Sequence, residues 1–291
     1  MILTPPSTLR FASALTRQAD AQAAADELIR AIRVQLGSSR IDVAFLFISA
    51  QHTDQADTLS HALRTALGPD TLVGCPGEGV IAPGREVETG PAATLWAAHL
   101  PGVIAHPLRL SFSSVHDQFS LRDWPELDYG GESAPVMLLF ADPFSTPLQD
   151  VLGVIEERYP HARALGGLAG GGQDLAENRL FLDDEVYSDG LVGVALSGNI
   201  SVRTVISQGC RPIGDRFIVT KAEHNVIQEL GGIPALHCLQ TVFGQLSMDE
   251  RAQAQRALHI GIAMDEQRAQ FTRGAFLIRN LLGADQQTGA I

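Results

Sequence analysis

Cys75 and His52 are the first residues in this chain that could do chemistry. Cys75 follows Gly74 at the end of the apolar segment Thr71-Leu72-Val73, and His52 lies in Gln51-His52-Thr53-Asp54, directly behind the apolar run Ile41 to Ser49. A thiolate beside an imidazole base is a nucleophile arrangement, with Asp54 in the orienting role. Each residue also has a plainer reading. A small Cys at a strand end is commonly a packing residue, and a His beside an N-cap Asp commonly sits at the surface, so the capping role is favoured for His52 and Asp54.

The other candidates are backbone groups. Gly74, Gly77 and Gly79 flank Cys75 and Glu78, and Gly166, Gly167 and Gly170 recur in Ala164-Leu165-Gly166-Gly167-Leu168-Ala169-Gly170-Gly171-Gly172. Glycines after a buried strand leave main-chain N–H groups unshielded and suited to a carboxylate. Glu78 or Asp142 would receive an ammonium group. Arg279 shares a strand face with Leu277, and is a bidentate carboxylate ligand if that face lines a cleft or an ordinary solvated Arg if it does not. These residues (Gly74, Cys75, Gly77, Glu78, Gly79, Asp142, Gly166, Gly167, Gly170 and Arg279) form the predicted ligand site.

Several chemistries are disfavoured. Gly77-Glu78-Gly79-Val80-Ile81-Ala82 fits the dinucleotide fingerprint GxGxxA, but Pro83-Gly84 cuts off the helix that would hold a pyrophosphate. The only lysine, Lys221, is not in a Gly-Lys pair, so no Walker A loop exists. The histidines are scattered, without HExxH or a His/Cys cluster, so neither a metal nor a cofactor is expected. Net charge of −12 argues against nucleic acid. Three separate cysteines give no disulfide framework. The amino terminus does not read as a secretory signal and no apolar run reaches the roughly 18 residues of a membrane span, so cytoplasmic residence is expected.

At 291 residues, 45% hydrophobic and 19% charged, the chain has the composition of a globular protein with room for two domains. Apolar residues at helical spacing predict helices over Asp20 to Leu36 and Gln55 to Leu67. The continuous run Ile41 to Ser49 predicts a strand buried on both faces. The pattern then repeats: Val73 maps onto Leu165, Pro135 to Pro143 repeats the first strand, and each copy closes with a strand beginning at a glycine, Gly90 or Gly190. Pro101-Gly102 and Ser197-Gly198-Asn199 read as hairpin turns leading to Val103–Leu110 and Ile200–Ile206. Residues 113–133 lack periodicity and read as a surface link. The fold class is therefore α/β (mixed α+β), with internally duplicated strand-helix-strand-hairpin units, about 41–110 and 135–206, in mixed sheets covered by helices. After Gly214 come strands Phe217 to Lys221 and Asn225 to Leu230, a helix from Pro234, a capping box at Ser247-Met248-Asp249-Glu250, and two strands, Leu258 to Met264 and Ala275 to Leu282.

Asp42-Val43-Ala44-Phe45-Leu46-Phe47 with Leu72-Val73-Gly74-Cys75, then Leu165-Gly166-Gly167, Gly190 to Leu196 and Gln208-Gly209-Cys210-Arg211-Pro212-Ile213-Gly214, resemble the N-terminal FIST domain. Arg273-Gly274-Ala275-Phe276-Leu277-Ile278-Arg279-Asn280-Leu281-Leu282-Gly283 resembles the first part of the C-terminal FIST domain, whose later Cys-Asn-Gly elements are absent. The resemblance implies an N-terminal domain over 1–220 and an incomplete second domain over 221–291, with its last strand on an open edge that leaves room for a homo-oligomer. It also implies a sensory module for small polar metabolites such as amino acids, signalling to a partner protein, with no established reaction. The alternatives are an enzyme using Cys75 or His52, and a protein-binding scaffold.

Overall fold

Alternate residues of Val43–Ser49 pack to opposite sides, and both sides are apolar: Ala44, Leu46 and Ile48 lie in one core, Val43 and Phe45 in another. A strand covered on both faces has to sit inside a layered body. The structure, a computed structural model, describes residues 8–115, 118–122, 127, 134–205, 210–256, 258–263, 275–281 and 283–291. The chain divides into two units, Met1–Val202 and Arg203–Ile291.

The first unit opens with β1 (Arg10–Thr16), α1 (Ala21–Leu36), β2 (Val43–Ser49), α2 (Ala56–Leu67), β3 (Thr71–Gly77), β4 (Val80–Ala82), β5 (Arg85–Val87) and β6 (Ala93–His99). It continues through β7 (Val103–Val115), β8 (Gln118–Arg122), β9 (Val136–Ala141), α3 (Leu148–Arg158), β10 (Arg163–Leu168), β11 (Leu180–Leu182), β12 (Glu185–Tyr187) and β13 (Leu191–Gly198). The first sheet has the order β1-β6-β2-β3-β11-β12, and the second β10-β9-β13-β7-β8. Both are mixed. In the first, β6 runs antiparallel to β1 and β2 while β3 is parallel to β2; in the second, β13 runs antiparallel to β7 and β9 while β10 is parallel to β9. The two inner faces meet through Val43, Phe45, Val73 and Cys75 on one side and Phe140, Val192, Val194 and Leu196 on the other. Helices α1 and α2 cover the outer face of the first sheet with Leu28, Ile32, Leu59 and Leu63, and α3 covers that of the second with Val151 and Ile155. Four layers result, helix-sheet-sheet-helix.

Local sequence explains the helix ends. Asp20 caps α1 by accepting from the Ala23 N–H at 2.8 Å. Gly68 ends α2 in the left-handed region at φ 60°, a conformation that costs a residue with a Cβ.

Three sequence expectations are corrected. β6 and β7 do not pair as a hairpin: after Pro101-Gly102 the chain leaves the first sheet, and β7 pairs with β13 in the second. Residues 200–205 do not form a strand along β13. The segment 113–133 is only partly a link, because β7 extends to Val115 and β8 pairs with it; its residues 116–117, 123–126 and 128–133 lie outside the described residues. A connection that reads as a tight turn says nothing about which sheet the next strand joins.

The second unit contains β14 (Val219–Glu223), β15 (Val226–Leu230), β16 (Ile233–Pro234), α4 (Ala235–Gln245), α5 (Met248–Arg256), β17 (His259–Ala263) and β18 (Phe276–Asn280). Strands β14-β15-β16 form one small sheet and β17-β18 another. The capping box is present: the Glu250 N–H donates to Ser247 Oγ at 3.3 Å and the Ser247 N–H to Glu250 Oε2 at 3.1 Å. Ile291 exchanges backbone hydrogen bonds with Ile227, at 2.8 and 2.9 Å.

Candidate functional site

The parallel strands β2, β3, β9 and β10 all end at the same side of the first unit, where open α/β sheets bind ligands. Two of the predicted glycines serve the strands themselves. A Cβ on Gly74 would stand 1.8 Å from the Leu46 carbonyl oxygen, and one on Gly166 would stand 1.7 Å from the Leu139 carbonyl oxygen. Leu46 and Leu139 are their register partners in β2 and β9. Each glycine is absent of a side chain because the neighbouring strand occupies that space, so Gly74, buried within β3, presents nothing to a ligand.

Beyond the strands the two glycine loops meet. The Gly170 N–H donates to the Pro76 carbonyl at 2.9 Å, and a Cβ on Gly170 would lie 3.2 Å from the Glu78 nitrogen and 3.5 Å from Gly77 Cα. Gly171 packs on Ala50, the first residue of a short 3-10 turn that follows β2. Glu78, Gly79, Gly167 and Gly171 are exposed, and a Cβ on Gly167 would meet open space. Among the described residues the Glu78 and Gly171 N–H groups have no hydrogen-bond partner.

Asp142 anchors this junction from below. It is fully buried, and its Oδ2 accepts from the Phe144 N–H at 3.2 Å, the Ser145 N–H at 2.9 Å and the Ser145 hydroxyl at 2.6 Å. Its Oδ1 accepts from the Asn178 amide at 2.9 Å, and Asn178 in turn accepts from the Gly172 N–H at 3.1 Å. A buried carboxylate is tolerable when its lone pairs are filled in this way. Asp142 is thus a positioning residue that holds the glycine loop through Asn178, with its oxygens already engaged, rather than a group waiting for an ammonium ion. Asn178 was invisible to sequence reasoning, since a lone Asn in a polar loop carries no periodic or spacing signal.

His52 and Cys75 do not form a catalytic pair. Cys75 sits between the two sheets, 5% exposed, and burial pushes its thiol up to about 12, so no thiolate is available near neutrality. His52 is not at the surface beside an N-cap. It is fully buried in the 3-10 turn, neither ring nitrogen has a hydrogen-bond partner within 3.5 Å among the described residues, and burial lowers its pKa against weaker opposing effects from the Gln18 backbone and the Asp20 charge. Asp54 does not cap α2, whose N-cap position is Gln55 without a side-chain bond; the Gln55 amide oxygen instead accepts from the Ala21 N–H at 2.9 Å, at the start of α1.

Arg279 belongs to β18 in the second unit, where it is exposed and donates to the Ile278 carbonyl at 3.0 Å. Gly77-Glu78-Gly79 leads into strand β4, not a helix, as Pro83-Gly84 requires. An open groove of about 680 Å³ on the outer helical face, bordered by Asp26, Asp57, His61 and Asp184, is separate from the glycine loops; the buried polar residue in its lining, Ser60, donates its hydroxyl to the Asp57 carbonyl at 3.2 Å. Among the described residues no group of three His, Cys, Asp or Glu has metal-binding geometry, and no helix is long and apolar enough to cross a membrane.

The first unit is a four-layer α/β body of two mixed sheets with two glycine loops meeting at one end. The FIST N domain matches residues 42–233, and the chain belongs to the FIST family. FIST domains are known as proposed small-ligand sensory domains of signalling proteins. An uncharacterized protein of Mycobacterium tuberculosis is 37% identical over 283 residues, covering 97% of this chain and 72% of the relative. One of Mycobacterium bovis is 36% identical over 272 residues, covering 94% and 69%. A crystal structure of cyanuric acid hydrolase from A. caulinodans overlaps at a TM-score of 0.32 and 10% identity, over 66% of this chain and 71% of that one, a level at which neither fold nor function transfers.

Proposed function

We propose that the chain is a small-ligand sensory module whose site is the junction of the Gly77–Gly79 and Gly170–Gly172 loops, and that its ligand is an amino acid or a similar small zwitterion. The observation that carries this reading is the meeting of the two loops over the buried Asp142–Asn178 pair, with the Glu78 and Gly171 N–H groups unpartnered and the Glu78 carboxylate exposed. N–H groups suit a carboxylate, and Glu78 suits an ammonium ion. A rigid support under a glycine loop reduces the ordering cost of binding. Membership in the FIST family supports a sensory role, which requires a signalling partner that reads the liganded state. Enzyme action through Cys75 loses its footing because that thiol is buried and protonated.

The test is isothermal titration of the full chain with the twenty amino acids, repeated on Glu78→Gln and Gly167→Val. Both positions are exposed and Gly167 has open space for a side chain, so the variants should keep the wild-type melting temperature. Loss of binding in Glu78→Gln, with weakening in Gly167→Val, is expected. Binding unchanged in both variants, or no binding across the panel, removes this site.

A further inference from the structure

The first sheet has a covering strand that the second lacks. β11 lies antiparallel along β3, with Phe181 opposite Gly74 and Leu182 opposite Val73. Leu72 bonds outward to the same hairpin, donating its N–H to Asp183 Oδ1 at 3.0 Å and accepting from the Asp183 N–H at 2.8 Å. Phe181 is fully buried in the core under α1 and α2. β10 stands to β9 as β3 stands to β2: Ala164 faces Met137 as Leu72 faces Ala44, and Gly166 faces Leu139 as Gly74 faces Leu46. Yet among the described residues β10 pairs with no strand but β9; at its first residue the Arg163 guanidinium donates to the Val202 carbonyl at 2.8 Å, and further along Gly166, Gly167 and Leu168 are exposed. By the parity of Leu72, the backbone groups of Ala164 and Gly166 point to the free side.

A hairpin of the right form exists on the same chain. β4–β5 pairs Val80 with Val87, Ile81 with Glu86 and Ala82 with Arg85; β11–β12 pairs Leu180 with Tyr187, Phe181 with Val186 and Leu182 with Glu185. Both hairpins turn through two residues, Pro83-Gly84 and Asp183-Asp184. The first is unpartnered, since β4 bonds only to β5 among the described residues and Ile81, the counterpart of Phe181, is 74% exposed. It cannot swing to β10 of its own molecule, because Val80 and Val87 are buried against Leu15 and Phe47 and only Glu78 and Gly79 link it to β3.

Charges agree with a match between molecules. In the covered sheet, Arg64 of α2 lies 3.5 Å from Asp183 and 3.6 Å from Asp184 at the hairpin turn. In the uncovered sheet the residue after the buried Val151 and Ile155 of α3, as Arg64 follows Leu59 and Leu63 of α2, is exposed Glu156, while the β4–β5 turn is followed by exposed Arg85. The signs are exchanged and still complementary.

We propose that the β4–β5 hairpin of one copy of this chain adds antiparallel to the free edge of β10 in a second copy, with Ile81 opposite Gly166, Ala82 opposite Leu165 and Arg85 near Glu156. An open edge with outward N–H and C=O groups is a template for such addition. Donor and acceptor are different surfaces, so the contact is head-to-tail and each copy keeps one unused end until a ring closes.

Sedimentation velocity over a concentration series tests this, using the wild type, the donor variant Ile81→Lys and the acceptor variant Ala164→Pro, which removes an outward N–H. Wild type should rise above monomer mass as concentration increases, and each variant alone should stay monomeric. Their equimolar mixture should give a 1:1 dimer and nothing larger, because one intact hairpin and one intact edge remain; that dimer also shows that both variants are folded. A wild type monomeric throughout, variants that associate as wild type does, or a mixture that stays monomeric overturns the proposal.

Discussion

The ends of β2 and β9 occupy equivalent places in their sheets, and the chain treats them differently. Beyond β9, Asp142 is buried with four hydrogen bonds to its carboxylate and passes its order to the glycine loop through Asn178. At the end of β2, Ser49 makes a short closure with Ala92, accepting its N–H at 2.9 Å, and the imidazole three residues on is buried with no hydrogen bond within 3.5 Å among the described residues. One end is a completed polar network and the other is a polar group held in an apolar place. Low surrounding polarity strengthens the first and penalises the second. Burial of a polar residue therefore says little until its partners are counted.

The comparison can be broken most severely at the strands that support both ends. Gly74→Val puts a branched side chain where the Leu46 carbonyl stands, 1.8 Å from the Cβ position, inside a buried strand. A loss of about 4 kcal/mol or more is expected, enough to leave the chain unfolded in circular dichroism. Gly167→Val, in open space, should be nearly neutral; equal effects would mean that the strand spacing does not require Gly74.

Asp142→Ala comes next. It strands the Asn178 amide, the Ser145 hydroxyl and two N–H groups, and should cost about 3–5 kcal/mol in urea unfolding. Asn178→Ala should cost less, because it breaks two of the links and leaves Asp142 its bonds to residues 144 and 145. If Asn178→Ala were the more harmful, the loop rather than the carboxylate would be the anchor.

His52→Leu should act in the opposite sense, raising stability by about 1–2 kcal/mol at pH 7.5 by removing unpaired buried nitrogens. The pH dependence sharpens this. The folded-state pKa of His52 lies below its unfolded value of roughly 6.5, so the unfolded chain takes up the proton first and stability falls as pH drops through and below that value. The decline between pH 7 and 5 should be shallower in His52→Leu; equal slopes in denaturant titrations would show that other groups carry it.

The smallest effect belongs to Cys75. At pH 8 iodoacetamide should label the exposed Cys210 of the native chain, with Cys75 labelled only after unfolding, as peptide mass spectrometry would read. Rapid native labelling of Cys75 would restore it as a reactive group.

Sequence periodicity located α1, β2 and α2 almost to the residue, since each has one or two fully apolar faces that only layered packing can satisfy. In the structure Gly74, next to Val73, faces Leu46, and Gly166, next to Leu165, faces Leu139. Periodicity did not reveal β1, nor the three-residue strands β4, β5, β11 and β12, which are too short to show a period. Nor did it find the partner of β7, because Pro101-Gly102 specifies a turn and not the sheet that receives the next strand. The candidate site was legible as glycine loops, which advertise themselves by composition. Its support was not, because Asn178 acquires meaning only by standing near Asp142, a relation set by the fold.

The strand that completes the first sheet is encoded late. Leu72 bonds to Asp183, 111 residues further along the chain, so during synthesis the edge of β3 emerges and then waits. At about 5–20 residues per second the wait is roughly 5–20 s. For that interval a nearly finished half-molecule presents a bare strand to the crowded exit of the ribosome. A pause in translation between codons 100 and 180 would lengthen it, and the yield of intact protein should then depend on decoding speed through a stretch of sequence that contributes nothing to the β3 edge itself.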